Sequence, residues 1–444
     1  MAGSERLDVL HSWCVQADWR APTVVGGEGA RFFLEDGRAI LDMASQSECS
    51  NLGHQHPRLV AAIRDQAERL CFVANAWGAA PRARLAERLL GLSGFTGGRV
   101  FFTLGGADAN ENAVKFARQA TRKPDGLIVA RDRSYHGASF MGMALSGDSR
   151  TRAQADAEAL GVRRVPAPYA YRCPFGGKNE AESGLRAADA VGALIDSEGA
   201  RVAAAIMEPD AGTNGIVAPD SYWPALRKHT AERGILLIAD EVMSAFGRCG
   251  EWFAWQRHGE AGRPDLMTLA KGLTGAAIPL GAVVLSADVS AKLEHEMLYT
   301  GLTYCGHPLA CAVGVAALAA YEEEGLIERS RAMGANLFAE LKRLQERHPV
   351  IGDVRGGCGL FAVIELVSDR DSRAPLAPWP QQPPALTALA DAAFAEDGVS
   401  FATRGNLIIL APPLVISERE LGDALGALDR LLTRFFLSRK DSAA

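Results

Sequence analysis

The sequence lacks the features that mark secreted, disulfide-bonded or membrane-spanning chains. Its eight cysteines are scattered, with no C-x-x-C pair and no cluster spaced like metal ligands. The first residues contain no apolar run of the kind that a secretory signal needs. The longest uncharged apolar stretch, residues 276–287, is interrupted by Pro279 and is too short to span a bilayer. These absences predict a reduced, cytoplasmic protein without a membrane segment.

The sequence also lacks an excess of positive charge. Its 444 residues carry a formal net charge of −6, so no overall basic field attracts nucleic acid or an anionic membrane, and we expect neither as a partner. Charged residues make up 23% of the chain and apolar residues 48%, which is typical of globular proteins and excludes extended disorder. The chain is about three average domains long and can bury a large core without disulfides.

The central part of the sequence predicts an α/β fold. From about residue 55 to residue 330, short apolar runs alternate with amphipathic segments of helical length. Several runs are apolar at every position, as expected for parallel strands that helices cover on both faces. The clearest strand candidates are residues 99–104, 126–130, 202–207, 234–240 and 280–286, and the clearest helix candidates are residues 107–120, 184–198 and 221–233.

The two ends of the sequence predict a second, smaller domain. Residues 31–43 are typical of two short strands around an Asp36-Gly37 turn, and the proline-rich residues 369–385 are typical of a surface loop. The other predicted elements of the tail are a long helix at 307–346, strands at 359–366 and 407–410, and a closing helix at 417–436. We therefore divide the chain into the N-terminal part of a small domain (1–54), a large domain (55–320) and the C-terminal small domain (321–444).

Polar residues and glycines follow several predicted strands, at the edge where open parallel sheets bind their ligands. Residues 105–108 (Gly-Gly-Ala-Asp) join a strand to a helix, and such a turn exposes helix N–H groups that bind anions. An ordinary glycine turn with an aspartate cap explains the same residues. Tyr135 and His136 follow the next strand, where an aromatic ring either covers a planar cofactor or simply packs.

Two further strand ends carry charged residues. Asp240 and Glu241 stand where a buried apolar run meets solvent, and a carboxylate there is costly unless a cation pairs with it. Lys271 ends another apolar run, a setting that lowers the pKa of a lysine and makes it a nucleophilic amine. A phosphate cradle, an aromatic loop, a buried carboxylate and then a lysine are, in this order, the set that a pyridoxal phosphate enzyme needs.

The sequence resembles the class III (ω-type) pyridoxal-phosphate-dependent aminotransferases over residues 26–420, and most of all the taurine–pyruvate, β-alanine–pyruvate and amine–pyruvate transaminases. The matching stretches are NLGHQHP (51–57), GGADANENAVKFAR (105–118), SYHG (134–137), MEPDAGTNGIVAP (207–219), LLIADEVMSAFGRCGEWFA (236–254), PDLMTLAKGLTGAAIPLGAV (264–283), GLTYCGHPLACA (301–312) and APPLVISERE (411–420). The resemblance implies fold type I, which is an α/β fold. It has a large domain around a mostly parallel seven-stranded sheet and a smaller α+β domain built from both termini.

The resemblance also implies the roles of individual residues, with pyridoxal 5′-phosphate as the cofactor. Lys271 is implied to attach the cofactor and to move the proton, and Asp240 to pair with the pyridine nitrogen. The remaining implied cofactor contacts are Gly106 and Ala107 at the phosphate, Val242 and Tyr135 on opposite ring faces, His136 and Glu208 near the ring, and Thr303 at the phosphate of the neighbouring subunit. The last contact implies a homodimer with shared active sites.

The sequence departs from the family pattern at several positions. Residues 105–108 replace the usual Ser-Gly-Ser/Ala-Glu, so one hydroxyl donor to the phosphate is missing, and Asp210 stands where many relatives are apolar. Arg404 is a candidate for the arginine that binds the substrate carboxylate, although its spacing to the Pro412-Pro413 pair is shorter than in amine transaminases. A solvated hairpin arginine is the alternative.

The substrate pocket is predicted to be unusually polar. Residues 46–50 are Gln-Ser-Glu-Cys-Ser, where close look-alikes place apolar or aromatic residues, and Trp77 is a candidate for a neighbouring wall. A carboxylate in an enclosed pocket needs a partner, so we expect Glu48 to meet a cation or a hydrogen-bond donor and to favour polar, hydroxylated or cationic amino donors. The alternative is that Glu48 points away and pairs with a surface arginine.

The predicted function is the transfer of an amino group from an amine or an ω- or α-amino acid to pyruvate or 2-oxoglutarate, in a two-step ping-pong cycle. The alternative is another pyridoxal phosphate reaction on the same fold, such as racemisation, decarboxylation or aminomutation. No metal is expected, because His54 and His56 alone make a poor ligand set.

Overall fold

The computed structural model describes residue 5, residues 8–151 and residues 154–437. The outermost parts of the predicted small domain, residues 1–4, 6–7 and 438–444, lie outside this description. The α-helices are Pro57–Arg69, Ala80–Ser93, Gly106–Ala120, Phe140–Leu145, Glu180–Glu198, Tyr222–Glu232, Ala287–Leu293, Pro308–Glu323, Leu326–Arg347, Pro384–Ala392 and Glu418–Leu432, with an irregular turn at Ser45–Glu48. Shorter 3₁₀ or π turns are Gln16–Asp18, Ala170–Arg172, Gly199–Arg201, Ala254–Gly262, Lys271–Thr274, Ala393–Asp397 and Thr433–Leu437.

A seven-stranded sheet forms the centre of the molecule. In spatial order its strands are Arg99–Thr103, Gly281–Leu285, Leu266–Leu269, Leu236–Asp240, Val202–Met207, Leu127–Arg131 and Val162–Val165. The strand Gly281–Leu285 is antiparallel to both of its neighbours, and the other pairs are parallel. The prediction of a mostly parallel seven-stranded sheet is confirmed.

Helices cover this sheet on both faces, which is why its strands are apolar at successive positions. On the strand Val202–Met207, Ala205 and Met207 join one buried apolar cluster, and Ala204 and Ile206 join the cluster on the opposite face. The helix Gly106–Ala120 packs on the second face, where Ala113 and Ala117 are fully buried. The absence of polar–apolar alternation is thus explained by burial on both sides.

The N-terminal and C-terminal segments share a sheet. Strands Val24–Glu28, Arg31–Leu34 and Ala39–Asp42 form an antiparallel meander, and Val399–Ser400 from the tail adds to it in parallel. A second tail sheet contains Ile351–Gly356, Ala362–Asp369, Leu407–Leu410 and Ala402–Arg404, with Ala374–Pro375 paired to its longest strand, and Asp210–Ala211 pairs with Ile216–Val217 elsewhere. One apolar cluster contains residues from Ala30 to Leu432, on both sides of positions 54 and 320. The division of the chain at these two positions stays a prediction.

The closing helix shows how local sequence fixes an element boundary. The Glu420 N–H donates to Ser417 Oγ at 3.2 Å, and the Ser417 N–H donates back to Glu420 Oε2 at 3.1 Å. This reciprocal pair satisfies two N–H groups at the start of the helix. The helix therefore begins at Glu418, one residue after the predicted start at 417.

Two predictions of tail elements are wrong in detail. The predicted single helix at 307–346 is two helices, because Gly325 adopts a left-handed conformation (φ 60°) between Pro308–Glu323 and Leu326–Arg347. The predicted strand at 359–366 instead spans Ala362–Asp369, since residues 359–361 turn past the backbone of Arg248 and Gly250. The proline-rich segment 369–385 is mostly loop, as predicted, and contains only the short strand Ala374–Pro375 before a helix begins at Pro384.

Arg248 connects the N-terminal segment, the central sheet and the tail. Its guanidinium is fully buried. One terminal nitrogen donates to the carbonyls of Leu360 and Pro412 at 2.7 and 2.6 Å. The other donates to Ser45 Oγ and Asn51 Oδ1 at 3.0 and 2.8 Å. Four acceptors from three chain segments thus depend on one side chain.

We predict that Arg248→Leu lowers the free energy of unfolding by about 3 kcal/mol or more, because it leaves several buried acceptors without a donor. Urea unfolding followed by circular dichroism measures the change. The control is Arg347→Leu, which removes an arginine that is 58% exposed and pairs with Asp429. We expect that control to change stability by less than about 1 kcal/mol. Equal losses in the two variants would contradict the prediction.

Candidate active site

The candidate site lies where the carboxyl ends of neighbouring strands meet at one edge of the central sheet. The helix Gly106–Ala120 begins just after the strand Arg99–Thr103, and Asp240 is the last residue of its strand. Lys271 follows Leu266–Leu269 after one intervening residue. Residues far apart in the sequence are brought together here because parallel strands all end at the same edge.

The start of the helix Gly106–Ala120 forms an anion cradle. Its first hydrogen bond runs from the Ala109 N–H to the Gly105 carbonyl at 3.2 Å, so the N–H groups of Gly106 and Ala107 have no acceptor within the helix. Asp108 fixes the turn by accepting the N–H groups of Leu104 and Gly105 at 2.7 and 2.8 Å. The aspartate cap and the anion cradle therefore coexist in one turn.

Glycine is required on both sides of the cradle. A Cβ atom at Gly106 would lie 2.8 Å from a methyl group of Val242, so this close approach sets the helix start against the strand end that carries Asp240. Gly137 has φ +122°, and a Cβ there would lie 2.5 Å from the Cβ of Ala107. The loop that carries Tyr135 and His136 is thereby pressed against the same helix start.

Asp240 is buried in a network of donors. Its Oδ2 accepts from Asn110 Nδ2 at 2.7 Å and lies 2.7 Å from His136 Nδ1. Its Oδ1 accepts the N–H of Val242 at 3.0 Å. These contacts hold the carboxylate in one orientation at 3% exposure.

Two partners in this network were missed in the sequence. Asn110 also donates to the His136 carbonyl at 3.0 Å, and its own Oδ1 accepts from Thr268 Oγ1 at 2.7 Å. Both residues are almost fully buried, Asn110 on a helix and Thr268 on a strand. A polar side chain on the otherwise apolar buried face of each element was the signal that could have identified them.

Lys271 has a strained backbone and a carboxylate partner. Its φ is 46°, a conformation that is costly for a residue with a side chain and that clusters at functional sites. Its Nζ donates to Glu48 Oε2 at 2.9 Å. Burial by itself lowers the pKa of Lys271, but the charge and hydrogen bond of Glu48 outweigh burial and raise that pKa. The lowered pKa that the sequence predicted is therefore wrong for this arrangement, because Glu48 stabilises the ammonium form.

Glu208 is paired with a buried arginine that the sequence did not indicate. Arg131 is fully buried at the end of its strand and donates from Nη2 to the Glu208 carbonyl at 3.0 Å and to Oε2 at 3.3 Å. The other carboxylate oxygen accepts the Tyr135 N–H at 3.4 Å. Burial raises the pKa of Glu208, and the charge of Arg131 opposes this shift.

Glu241, adjacent to Asp240, does not meet the cation that the sequence suggested for this pair. Its carboxylate accepts the N–H groups of Ala254 and Trp255 at 3.0 and 2.9 Å and the hydroxyl of Ser244. Burial raises the pKa of Glu241 to about 7. Glu241 therefore orders the turn that follows the strand.

Arg404 is not the solvated hairpin arginine that the sequence left open. It ends the strand Ala402–Arg404, where both oxygens of Asp148 lie 2.7 Å from its Nη2 and its Nε donates to Asn214 Oδ1 at 2.9 Å. Asp148 also accepts from Arg150. One buried carboxylate thus faces two arginines.

The last three predicted residues differ in their exposure. Tyr135 is half-buried, with the guanidinium of Arg150 5.6 Å from its ring centre and Trp13 in an edge contact at 6.2 Å. Trp77 is 68% exposed, and its carbonyl accepts from Arg82. Thr303 is exposed. The roles of Tyr135, Trp77 and Thr303 stay predictions.

The two histidines near the N-terminus serve separate structural pairs. His54 Nε2 lies 3.0 Å from Asp42, and His56 Nε2 lies 3.1 Å from Glu324. Within the described ranges, no group of three or more His, Cys, Asp or Glu residues could hold a metal ion.

These groups fit pyridoxal 5′-phosphate. The free N–H groups of Gly106 and Ala107 suit a phosphate, the held carboxylate of Asp240 suits a protonated ring nitrogen, and the amine of Lys271 suits an aldehyde. His136 Nε2 is buried with no acceptor or donor among the described residues, as expected for a group that faces a ligand.

Comparison with known proteins agrees with this fit. The family model for class III aminotransferases matches residues 16–432. A diaminobutyrate–2-oxoglutarate transaminase of Halomonas elongata is 33% identical over 427 residues, which cover 93% of this chain and 90% of the relative. A leucine/methionine racemase of Thermococcus litoralis is 32% identical over 424 residues, which cover 93% and 91%.

A solved structure matches nearly the whole molecule. It is the taurine:2-oxoglutarate aminotransferase of Bifidobacterium kashiwanohense in complex with pyridoxal phosphate and glutamate, with 36% identity and a TM-score of 0.91. The match covers 97% of this chain and 96% of that one. By sequence and fold, the chain belongs to the class III family of pyridoxal-phosphate-dependent aminotransferases.

Proposed function

We propose that this aminotransferase moves an amino group from an amine or an ω- or α-amino acid to a keto acid, with pyruvate or 2-oxoglutarate as the acceptor. The observation that carries the proposal is the strained Lys271, placed at the same sheet edge as Asp240 and the helix start at Gly106. Pyridoxal phosphate, when bound, supplies an aldehyde for the amine and a ring that accepts the electron pair released when a proton leaves the donor carbon.

Residues of the chain bind and orient this cofactor. We assign the phosphate to the N–H groups of Gly106 and Ala107 and the ring nitrogen to Asp240. Asn110 and His136 keep the carboxylate of Asp240 in a fixed orientation, so it need not reorganise during the reaction. Val242 and Tyr135 are assigned to opposite faces of the ring, and Glu208 is assigned to its edge.

Lys271 is the proposed base and acid. Its Nζ would take the proton from the donor carbon as a general base and give the proton up again as a general acid. The amine must lose the proton that Glu48 stabilises before it can do so.

The keto acid requires a cation for its carboxylate, and Arg404 is the proposed partner. Asp148 already compensates Arg404, but it also faces Arg150, so this cluster of two arginines and one aspartate has a formal surplus of one positive charge. The two transaminases compared above both have 2-oxoglutarate in their names, which supports a keto acid with a second carboxylate.

A homodimer is part of the proposal. Exposed apolar side chains occur in two segments that meet on the surface, where Phe72 packs on Tyr304 at 5.6 Å between ring centres. Arg82 ties the segments together by donating to the carbonyls of Trp77 and Gly306. Such a patch beside Thr303 suits a subunit interface.

We also propose that the enzyme works in the cytoplasm, since all eight cysteines are free thiols. In the part of the chain that the structure describes, every helix is too short or too polar to cross a lipid bilayer.

A second candidate reaction is racemisation, because the leucine/methionine racemase matches almost the full length of the chain. Racemisation returns the proton to the same carbon from the opposite face, whereas transfer moves the amino group to the cofactor. The two reactions therefore differ in what remains on the enzyme after one donor is consumed.

We predict that an amino donor alone converts the absorbance of the bound cofactor to that of the pyridoxamine form, and that pyruvate or 2-oxoglutarate restores it. A stopped-flow or diode-array spectrophotometer follows both steps. A racemase would instead abolish the optical rotation of the donor solution without accumulating the pyridoxamine form of the cofactor. That result would replace transfer by the second candidate.

We predict that Lys271→Ala abolishes turnover while the cofactor still binds without a covalent bond, because the cradle and Asp240 are unchanged. Borohydride reduction followed by peptide mass spectrometry should find cofactor on the peptide of residue 271 in the wild type and on no lysine in the variant. Lys292→Ala, on the helix Ala287–Leu293, is the control and should retain the adduct. An adduct on another lysine in active Lys271→Ala protein would contradict the assignment.

We predict that Thr303→Val releases pyridoxal phosphate faster on dialysis, by at least about threefold, if its hydroxyl reaches the phosphate of the neighbouring subunit. Dilution to monomers should weaken retention similarly, since assembly and cofactor binding are thermodynamically linked. Sedimentation velocity measures the assembly state, and Thr387→Val is the control. A stable monomer that retains cofactor with undiminished affinity would refute the shared site.

A further inference from the structure

Glu48 lies in the active site and has a single side-chain partner among the described residues. Its Oε2 accepts from Lys271 Nζ at 2.9 Å, and only 8% of the residue is exposed. The alternative of a surface arginine is therefore wrong in this structure, and the expected cation is the catalytic lysine itself.

The backbone around Glu48 is strained and firmly held. Ser45, Gln46 and Glu48 all have positive φ values, of 46°, 60° and 54°. Asp42 accepts the N–H groups of Ala44 and Gln46, at 3.0 and 2.9 Å. Such strain persists only where surrounding contacts fix the backbone, so the direction of the Glu48 side chain is set by the fold.

Other charged groups near Glu48 are already committed. Arg248 lies close enough to interact with its charge, but its two terminal nitrogens donate to two carbonyls, Ser45 and Asn51. The Asp42 carboxylate faces the backbone and His54. The neighbouring Cys49 thiol has its pKa raised by burial and is neutral. Lys271 is thus the cation that compensates Glu48.

Lys271 cannot be the standing cation of Glu48 during amino transfer. With pyridoxal phosphate bound, Lys271 would be the amine that holds the cofactor aldehyde, and as the proposed general base it would have to be neutral when it takes the proton from the donor carbon. The reacting nitrogen of the donor would be committed to the cofactor. Because a carboxylate without a cation in a nearly closed site is destabilised, a lasting partner for Glu48 must come from a different group.

We propose that Glu48 is a cation-binding residue that pairs with Lys271 and, during the reaction, with a second, non-reacting ammonium group of the amino donor. The inference rests on the proposed transfer function and adds a substrate class to it. Aliphatic diamines and diamino acids are the donors that carry such a group. Simple alkylamines and arylalkylamines lack it and leave Glu48 unpaired.

The test compares matched donors on the cofactor-loaded enzyme. Putrescine and pentylamine differ in one end, an ammonium in the first and a methyl group in the second, and cadaverine and hexylamine form the next longer pair. We expect Glu48→Gln to reduce the ratio of kcat/KM for diamine over monoamine by at least about tenfold. The matched control is Glu324→Gln, which removes a carboxylate that pairs with His56 outside the site and should leave the ratio unchanged.

A second variant separates charge from shape. Glu48→Asp keeps the carboxylate and shortens the side chain by one methylene, so it should retain more of the diamine preference than Glu48→Gln. Circular dichroism verifies that each variant is folded. Equal loss of the preference in both folded variants would mean that side-chain length decides it, and would overturn the proposal.

A readout without turnover tests the pair with Lys271. In protein freed of cofactor, acetic anhydride labels Lys271 only as the neutral amine, and mass spectrometry of its peptide gives the labelled fraction at each pH. Because Glu48 stabilises the ammonium form, Glu48→Gln should move the labelling midpoint to lower pH, and Glu324→Gln should not.

The outcomes are distinct. A lower midpoint together with a lost diamine preference supports the proposal. An unchanged midpoint, or a preference that survives Glu48→Gln, overturns it while amino transfer itself stands. If the wild-type enzyme transfers no amino group from any donor to either keto acid, the proposed function fails, and the substrate inference fails with it.

Discussion

The buried carboxylate of Asp240 is the interaction on which the rest of the site depends. Its Oδ2 is hydrogen-bonded to Asn110 on the helix Gly106–Ala120 and to His136 on the following loop. Its Oδ1 accepts the Val242 N–H from the turn after its own strand. A carboxylate at this depth is stable only with such donors or a cation. The same contacts therefore bring the helix start at Gly106 and the loop that carries Tyr135 to the sheet edge where Lys271 also lies.

Other charged residues of the site are organised in pairs rather than in one network. Glu48 with Lys271, Glu208 with Arg131, and Asp148 with Arg404 and Arg150 each place an acid against a base. Removing one member of a buried pair is costlier than never burying the pair. Because Lys271 would have to be neutral to act as a base, the proposed role of Glu48 connects catalysis to the choice of donor.

Sequence reasoning succeeded best where a local pattern has one physical meaning. The strand at 202–207 and the strands on either side of Asp36-Gly37 were predicted because buried strands and tight turns have strong signals. It failed where two meanings compete. The sequence predicts one long helix through Gly325, but a second helix begins after this glycine. The strand at 162–165 was not predicted because its two central residues are arginines rather than apolar residues.

The sequence by itself indicated the family and its cofactor, since stretches between residues 51 and 420 resemble the class III aminotransferases, but it left other pyridoxal phosphate reactions on the same fold open. It also placed Glu48 in an abnormally polar segment. Only the tertiary structure decided what those charges meet, because ion pairs such as Glu48 with Lys271 and Arg404 with Asp148 join residues more than 200 positions apart. The local sequence pattern carries no information about such pairs. Because the pairs are buried, each one affects the pKa values of its members and the charge of the pocket.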